Sequence, residues 1–245
     1  MKSVFSAITR ALRDLKEPRV LAVMVLPVLA SLTIWLVVAF WFWQSWVTVA
    51  GNAIGSTEVA RWLRDWGAQW LVSGVGAIAV IAMMIPALLI TNMIITEIFA
   101  MPAMVNLVSA RDYPALERRH GGTVAGGVLN ASTGITIYLV LFVMCLPLWL
   151  LGPVGLIASA LNSGYLGQRL FRYDALSEHA SADELRTLAR KARGRLFLLA
   201  LTLSPLNLVP ILNLFAPVLA GLAFTHFCLR ELAECRNEDR GLRIE

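Results

Sequence analysis

Within the long apolar runs of this chain, side chains able to do chemistry are few and unevenly placed. The stretch at 204–221, SPLNLVPILNLFAPVLAG, carries Pro205, Pro210 and Pro217 with Asn207 and Asn213, and no charge. Proline lacks a backbone N–H and ends or kinks a helix, so each break frees backbone groups that lipid cannot satisfy. A helix restarted after such a break presents N–H groups and a positive dipole end, a setting suited to an oxyanion. Ser204, Asn207 and Asn213 would add hydrogen bonds there; alternatively the asparagines only satisfy the turn itself. Glu97 is the sole Asp, Glu, Lys or Arg in the runs 20–47, 71–104, 123–162 and 196–229. An acid in the bilayer costs about 2.5–3.5 kcal/mol on insertion scales, and Glu97 reads either as a structural pair or as a gating, proton-linked group. Arg19, entering the first run, would give an anion its first attraction. Arg111, Arg118 and Arg119 would form a vestibule that draws it onward.

Other chemistries lack their residues. There is no phosphate-cradling glycine loop, no GxSxG and no zinc spacing, and His120, His179 and His226 lie far apart with no HExxH. No enzyme, cofactor or metal is expected. His226, alone on an apolar helix, reads as a packed polar residue. Cys145, Cys228 and Cys235 read as small hydrophobes.

The elements that must position these residues follow from composition. The chain of 245 residues is 58% hydrophobic and 15% charged, with mean hydropathy +0.70, whereas soluble domains carry about 25% charge. Each of the four runs exceeds the ~18 residues that mark a transmembrane candidate. The first, with 28 residues, is too long for a signal h-region of roughly 7–15 and reads as a retained anchor. Of the 21 Lys and Arg, residues 1–19 hold five, 105–122 three, 163–195 seven and 230–245 four, while 48–70 holds Arg61 and Arg64 alone. By the positive-inside rule 48–70 is an outer loop and the other polar segments are cytoplasmic. The basic excess is explained by this pattern, without nucleic acid. The expected fold is therefore all-α and integral to the membrane. Runs 20–47 and 71–104 are spans, and 123–162 and 196–229 are Pro/Gly-broken helical hairpins entering and leaving on one side. The 34 residues of 196–229 give two legs of about 15 residues, roughly 22 Å at ~1.5 Å per residue, short of a ~30 Å core.

Flanking elements fit. Residues 1–19 read as a basic amphipathic helix on anionic lipid, with Val4, Phe5, Ile8, Leu12 and Leu15 on one stripe. Seven of the eight tryptophans lie between 35 and 70, an aromatic belt at the outer face. Gly122 and Gly126 have a GxxxG spacing that favours tight helix packing. Ser181 and Glu184 form a capping-box spacing at the head of a basic helix, 181–195.

The order of these features resembles the CysZ-type sulfate permease family, also called the etoposide-induced protein family. The likeness is closest where LFRYDALSEHASADELRTLARKARGRLFLLAL runs into SPLNLVPILNLFAPVLAG, with Pro205, Asn207, Pro210 and Pro217 in the family's P-x-x-N-x-x-x-P-like pattern. The resemblance implies one membrane domain over 1–245 in the bacterial inner membrane, an inorganic anion (sulfate) as substrate for cysteine biosynthesis, and a homo-oligomer. The family's paired arginines before the first span are absent: PRVLAVMVLP keeps Arg19, but Leu21 and Ala22 stand at the paired positions. That departure favours the alternative, a non-transporting membrane scaffold or quality-control protein of the same fold.

Overall fold

Described over residues 2–67 and 69–242 in a computed structural model, the chain is built from helices and turns, with no strand among the described residues. It divides into two units, one of residues 26–95 and the other of 1–25 with 96–245.

The smaller unit holds most of α2 (Pro18–Gly55), then α3 (Glu58–Asp65) and α4 (Gln69–Ile95). Two small residues let α2 and α4 approach: a Cβ on Gly76 would lie 3.2 Å from the Gly51 nitrogen. Trp35 Nε1 donates to Thr91 Oγ1 at 3.0 Å, which settles the indole N–H inside the pair. Large apolar side chains point away from the protein, Phe40 and Met83 among them at 84% and 76% exposure. A surface of that kind is at home in hydrocarbon, not water. Trp62 on α3 and Trp66 just after it pack with ring centroids 5.0 Å apart.

The larger unit contains α1 (Lys2–Asp14), a π-helical turn (Thr96–Ala100), α5 (Met101–Asp112), α6 (Val124–Cys145), α7 (Pro153–Ser177), α8 (Ala182–Lys191), α9 (Arg193–Leu203) and α10 (Pro210–Leu242). α10 is its axis. Leu222, Phe224, Phe227, Leu229 and Leu232 are buried, and Val4, Ala7 and Ala11 of α1, Met104 and Val108 of α5 and Leu196 and Leu199 of α9 join the same cluster. On α1 the buried line is therefore turned from the expected stripe. Ala7 and Ala11 let the helix close onto α10, and Phe5 and Leu12 are left 75% and 50% exposed.

Among the described residues four helical stretches are long and apolar enough to cross a membrane: Pro18–Gly55, Gly74–Asp112, Val124–Leu151 and Leu212–Glu238. The protein is an all-α, multi-pass membrane protein. α6 and α7, with 22 and 25 residues, are ~33 and ~37 Å long and each could reach across ~30 Å. A 3-10 turn (Leu146–Leu151) joins them, with Gly152 at φ +59° and Pro153 at the head of α7. The second hairpin is unequal, unlike the even legs expected. α9 has 11 residues, ~16 Å, and α10 has 33, ~50 Å. The turn (Ser204–Leu208) sits near the start of the apolar run. Pro210 heads α10, whereas Pro217 lies within it without ending it. α10 continues past 229 because its charged end is held by ion pairs, Glu231 with Arg195 and Glu238 with Lys191.

Candidate functional site

α6 and α7 are joined by polar contacts from their open end inward. Thr123 caps α6, its Oγ1 accepting from the Gly126 N–H at 3.0 Å. Tyr173 Oη donates to Thr123 O at 2.9 Å and accepts from Thr123 N at 3.1 Å. Gly126 allows this, since a Cβ there would lie 2.5 Å from Tyr173 Oη, and Gly122 packs as closely on Ser177. The GxxxG spacing thus serves α6–α7 packing within the chain. One turn deeper, Arg169 Nε donates to Asn130 Oδ1 at 3.0 Å and to Asn130 O at 3.2 Å, and Asn130 Nδ2 donates back to Arg169 O at 3.2 Å. Arg169 Nη1 donates to Tyr165 Oη at 3.2 Å. Gly134 leaves the corridor for this side chain, as a Cβ there would lie 3.1 Å from Arg169 Cδ. Deeper still, Asn162 Nδ2 donates to Tyr138 O at 3.0 Å, while Asn162 Oδ1 and Ser159 Oγ are buried without a hydrogen-bond partner among the described residues.

The guanidinium in this ladder is fixed by neutral groups. Among the described residues neither Arg169 nor the half-buried Arg172, one turn on, has a carboxylate within ion-pair distance, and each repels the other. Most other arginines of this unit are neutralised. Arg111 holds Asp14 and Glu17 at 2.7 Å each and Asp112 at 2.9 Å. Arg118 lies 3.6 Å from Glu178, and Arg119 lies 3.0 Å from Glu184. The three vestibule arginines of the sequence reading are thus tied to carboxylates. Arg236, buried, forks onto Glu184 at 2.9 and 3.0 Å and donates to Glu117 O at 2.8 Å and His179 O at 2.7 Å. Burial pushes the Glu184 carboxyl up, but Arg236, the Ser181 backbone and Arg119 outweigh it and hold the group at about 2. Glu184 also completes the capping box with Ser181.

His226 is not alone on its helix. Its Nε2 lies 2.7 Å from Asp14 Oδ2 and its Nδ1 3.6 Å from Asp112 Oδ2, so α1, α5 and α10 meet in one clamp around Arg111. Glu97 stands in the π-helical turn, a local widening common at functional sites, and its carboxyl meets that of Asp174 on α7.

The remaining expected residues lie apart. Arg19 is exposed in the first turn of α2. Ser204 Oγ donates to Leu201 O at 2.9 Å, closing on its own helix. Asn213 is half-buried in the first turn of α10, and the side chain of Asn207 lies outside the described residues. No hydrogen bond or ion pair joins Arg19 to Ser204 or Asn213 among the described residues. Sequence reasoning grouped Arg169 and Arg172 with the cytoplasmic charge. Their signal was position: both sit on the helix that starts at Pro153, where Arg169 faces asparagine and glycine on α6 and Arg172 turns toward Phe227 and Cys228 of α10.

The family model described as Sulfate transporter CysZ/Etoposide-induced protein 2.4 matches residues 7–217, which include the whole α6–α7 ladder. No curated protein and no solved structure matches the chain.

Proposed function

The chain belongs to the sulfate transporter CysZ/etoposide-induced protein 2.4 family, and from that membership we propose that it is an anion permease or channel of the bacterial inner membrane that takes up sulfate for cysteine biosynthesis. The observation that carries this reading is the acid-free arginine of the first hairpin. Arg169 is held rigid by Asn130 and Tyr165, with Arg172 beside it, and neither cation has a carboxylate partner among the described residues. A fixed guanidinium presents donors in a planar fork that matches an oxyanion, and in a poorly solvated place its charge is weakly screened. Arg111, Arg118 and Arg119 commit their charge to carboxylates, so the pull on the ion falls to Arg169 and Arg172. Arg19 remains the residue of first attraction. Ser204, Asn207 and Asn213 are secondary hydrogen-bonding groups at the turn of the second hairpin. Glu97, with Asp174, is a gating pair on the flank of α7.

The test is labelled-sulfate flux into liposomes. Wild type should exceed protein-free vesicles severalfold. Arg169→Gln should lower the flux tenfold or more, as expected for loss of a charge-assisted hydrogen bond of about 1.5–3 kcal/mol. Equal flux in wild-type and empty vesicles would remove the sulfate reading. It would leave the scaffold reading, which Leu21 and Ala22 at the paired-arginine positions favour.

A further inference from the structure

α1 and the short turn after it carry three cations that make no ion pair among the described residues. Arg10, Arg13 and Lys16 border a basin of about 770 Å³ whose carboxylates are already engaged. Arg111 takes Asp14, Glu17 and Asp112, and His226 takes a second share of Asp14. The three cations are exposed, follow one another at i, i+3 and i+6, and make no ion pair among the described residues. Lys16 lies in the turn that follows α1, while Arg10 and Arg13 occupy the flank of α1 turned away from its buried residues Val4, Ala7 and Ala11. Next to them on the same helix stand Phe5 and Leu12, seven residues apart, 75% and 50% exposed. Only residues 15–17 separate α1 from α2, a helix long and apolar enough to cross a membrane.

We propose that this flank of α1 is a docking surface for the phosphate headgroup of an anionic lipid, with Phe5 and Leu12 set into the acyl boundary. Charge complementarity favours a phosphate, and a helix with a basic flank beside exposed apolar side chains is the form that lies in a headgroup layer. The neighbouring apolar pair selects a lipid over a free anion, which would gain nothing from Phe5 or Leu12. The clamp of Asp14, Arg111 and His226 sets the rotation of α1, so that the cations face outward instead of folding back onto the acids. This surface is separate from Arg169 and does not depend on the permease reading.

The experiment uses the full-length protein in detergent, with lipid retention measured by native mass spectrometry after mixing with phosphatidylglycerol or phosphatidylcholine. Wild type should retain phosphatidylglycerol at least tenfold better, since each cation near an anionic surface contributes about a fivefold preference. The variant Arg10→Gln/Arg13→Gln/Lys16→Gln should lose that preference to within about twofold at low salt. Arg61→Gln, on α3, should keep it. Should the triple variant fail to fold, Arg13→Gln alone should still lower the preference severalfold, because Arg13 is exposed and makes no described ion pair. An unchanged preference in the variants would overturn the proposal. So would displacement of the lipid by millimolar inorganic phosphate, which would make the basin a small-anion site. Sulfate flux in vesicles of fixed composition reports on the permease reading separately.

Discussion

α6 with its 3-10 extension and α10 are both long and apolar enough to cross a membrane, yet 6% of the apolar window is buried in the first and 67% in the second. α10 is surrounded by α1, α5 and α9 and held by an apolar cluster, and its charged residues from Arg230 to Glu238 are gathered into ion pairs. α6 is held chiefly by α7, through hydrogen bonds between Asn130 and Arg169, Tyr138 and Asn162, and Thr123 and Tyr173. Hydrocarbon offers no hydrophobic drive between helices, so a leg bathed in lipid depends on close packing and such bonds. The second hairpin is thus a support whose charged end is tied by ion pairs, and the first keeps one cation, Arg169, inside a helix pair.

Disrupting the support should give the largest loss of stability. Arg236→Ala leaves Glu184 and two backbone carbonyls without their guanidinium, and breaking such a buried pair costs about 3 kcal/mol. The melting temperature in detergent should fall by several degrees, with sulfate flux at low temperature reduced far less than by Arg169→Gln. Acid should act on the same place. The Glu184 carboxyl is held at about 2, below its usual 4.5. Its contribution is complete above about 4.5 and fades as the pH falls from there through 2, so a pH–melting profile should drop in that window. Glu184→Gln should flatten the drop. In the first hairpin the order of effects should reverse. Asn130→Ala removes the lock on Arg169 and should cost about 1 kcal/mol of stability, the scale of interhelical hydrogen bonds in membranes, while flux drops at least fivefold. Gly134→Ala is the mildest change. Its Cβ would press on the movable Cδ of Arg169 at 3.1 Å, so flux should fall two- to threefold with melting almost unchanged.

Apolar runs of 28 to 40 residues made the membrane class legible, and the spacing of Ser181 and Glu184 announced a capping box that is present with both its bonds. Such features depend on neighbours a few positions apart. Partners across the chain left no such trace. Asp14 and His226 are 212 positions apart, and Arg111 meets Asp14 at a separation of 97, so arginines that read as free are paired and a histidine that read as solitary is clamped. The turn of the second hairpin falls around Asn207, where its prolines and asparagines place it, but its legs are not equal: the turn comes early in the apolar run, and α10 also continues into the charged residues beyond 229. Arg169 was hidden because counting charge by segment does not tell which arginine faces asparagine and which faces an acid.

The separation of 39 positions between Asn130 and Arg169 also bears on how the chain is made. α6 is synthesised first and carries no charge, so it can enter lipid by itself. α7 follows with an arginine whose partner is already in place. The first hairpin is therefore completed by its later half, and until Arg169 arrives the side chain of Asn130 has to wait.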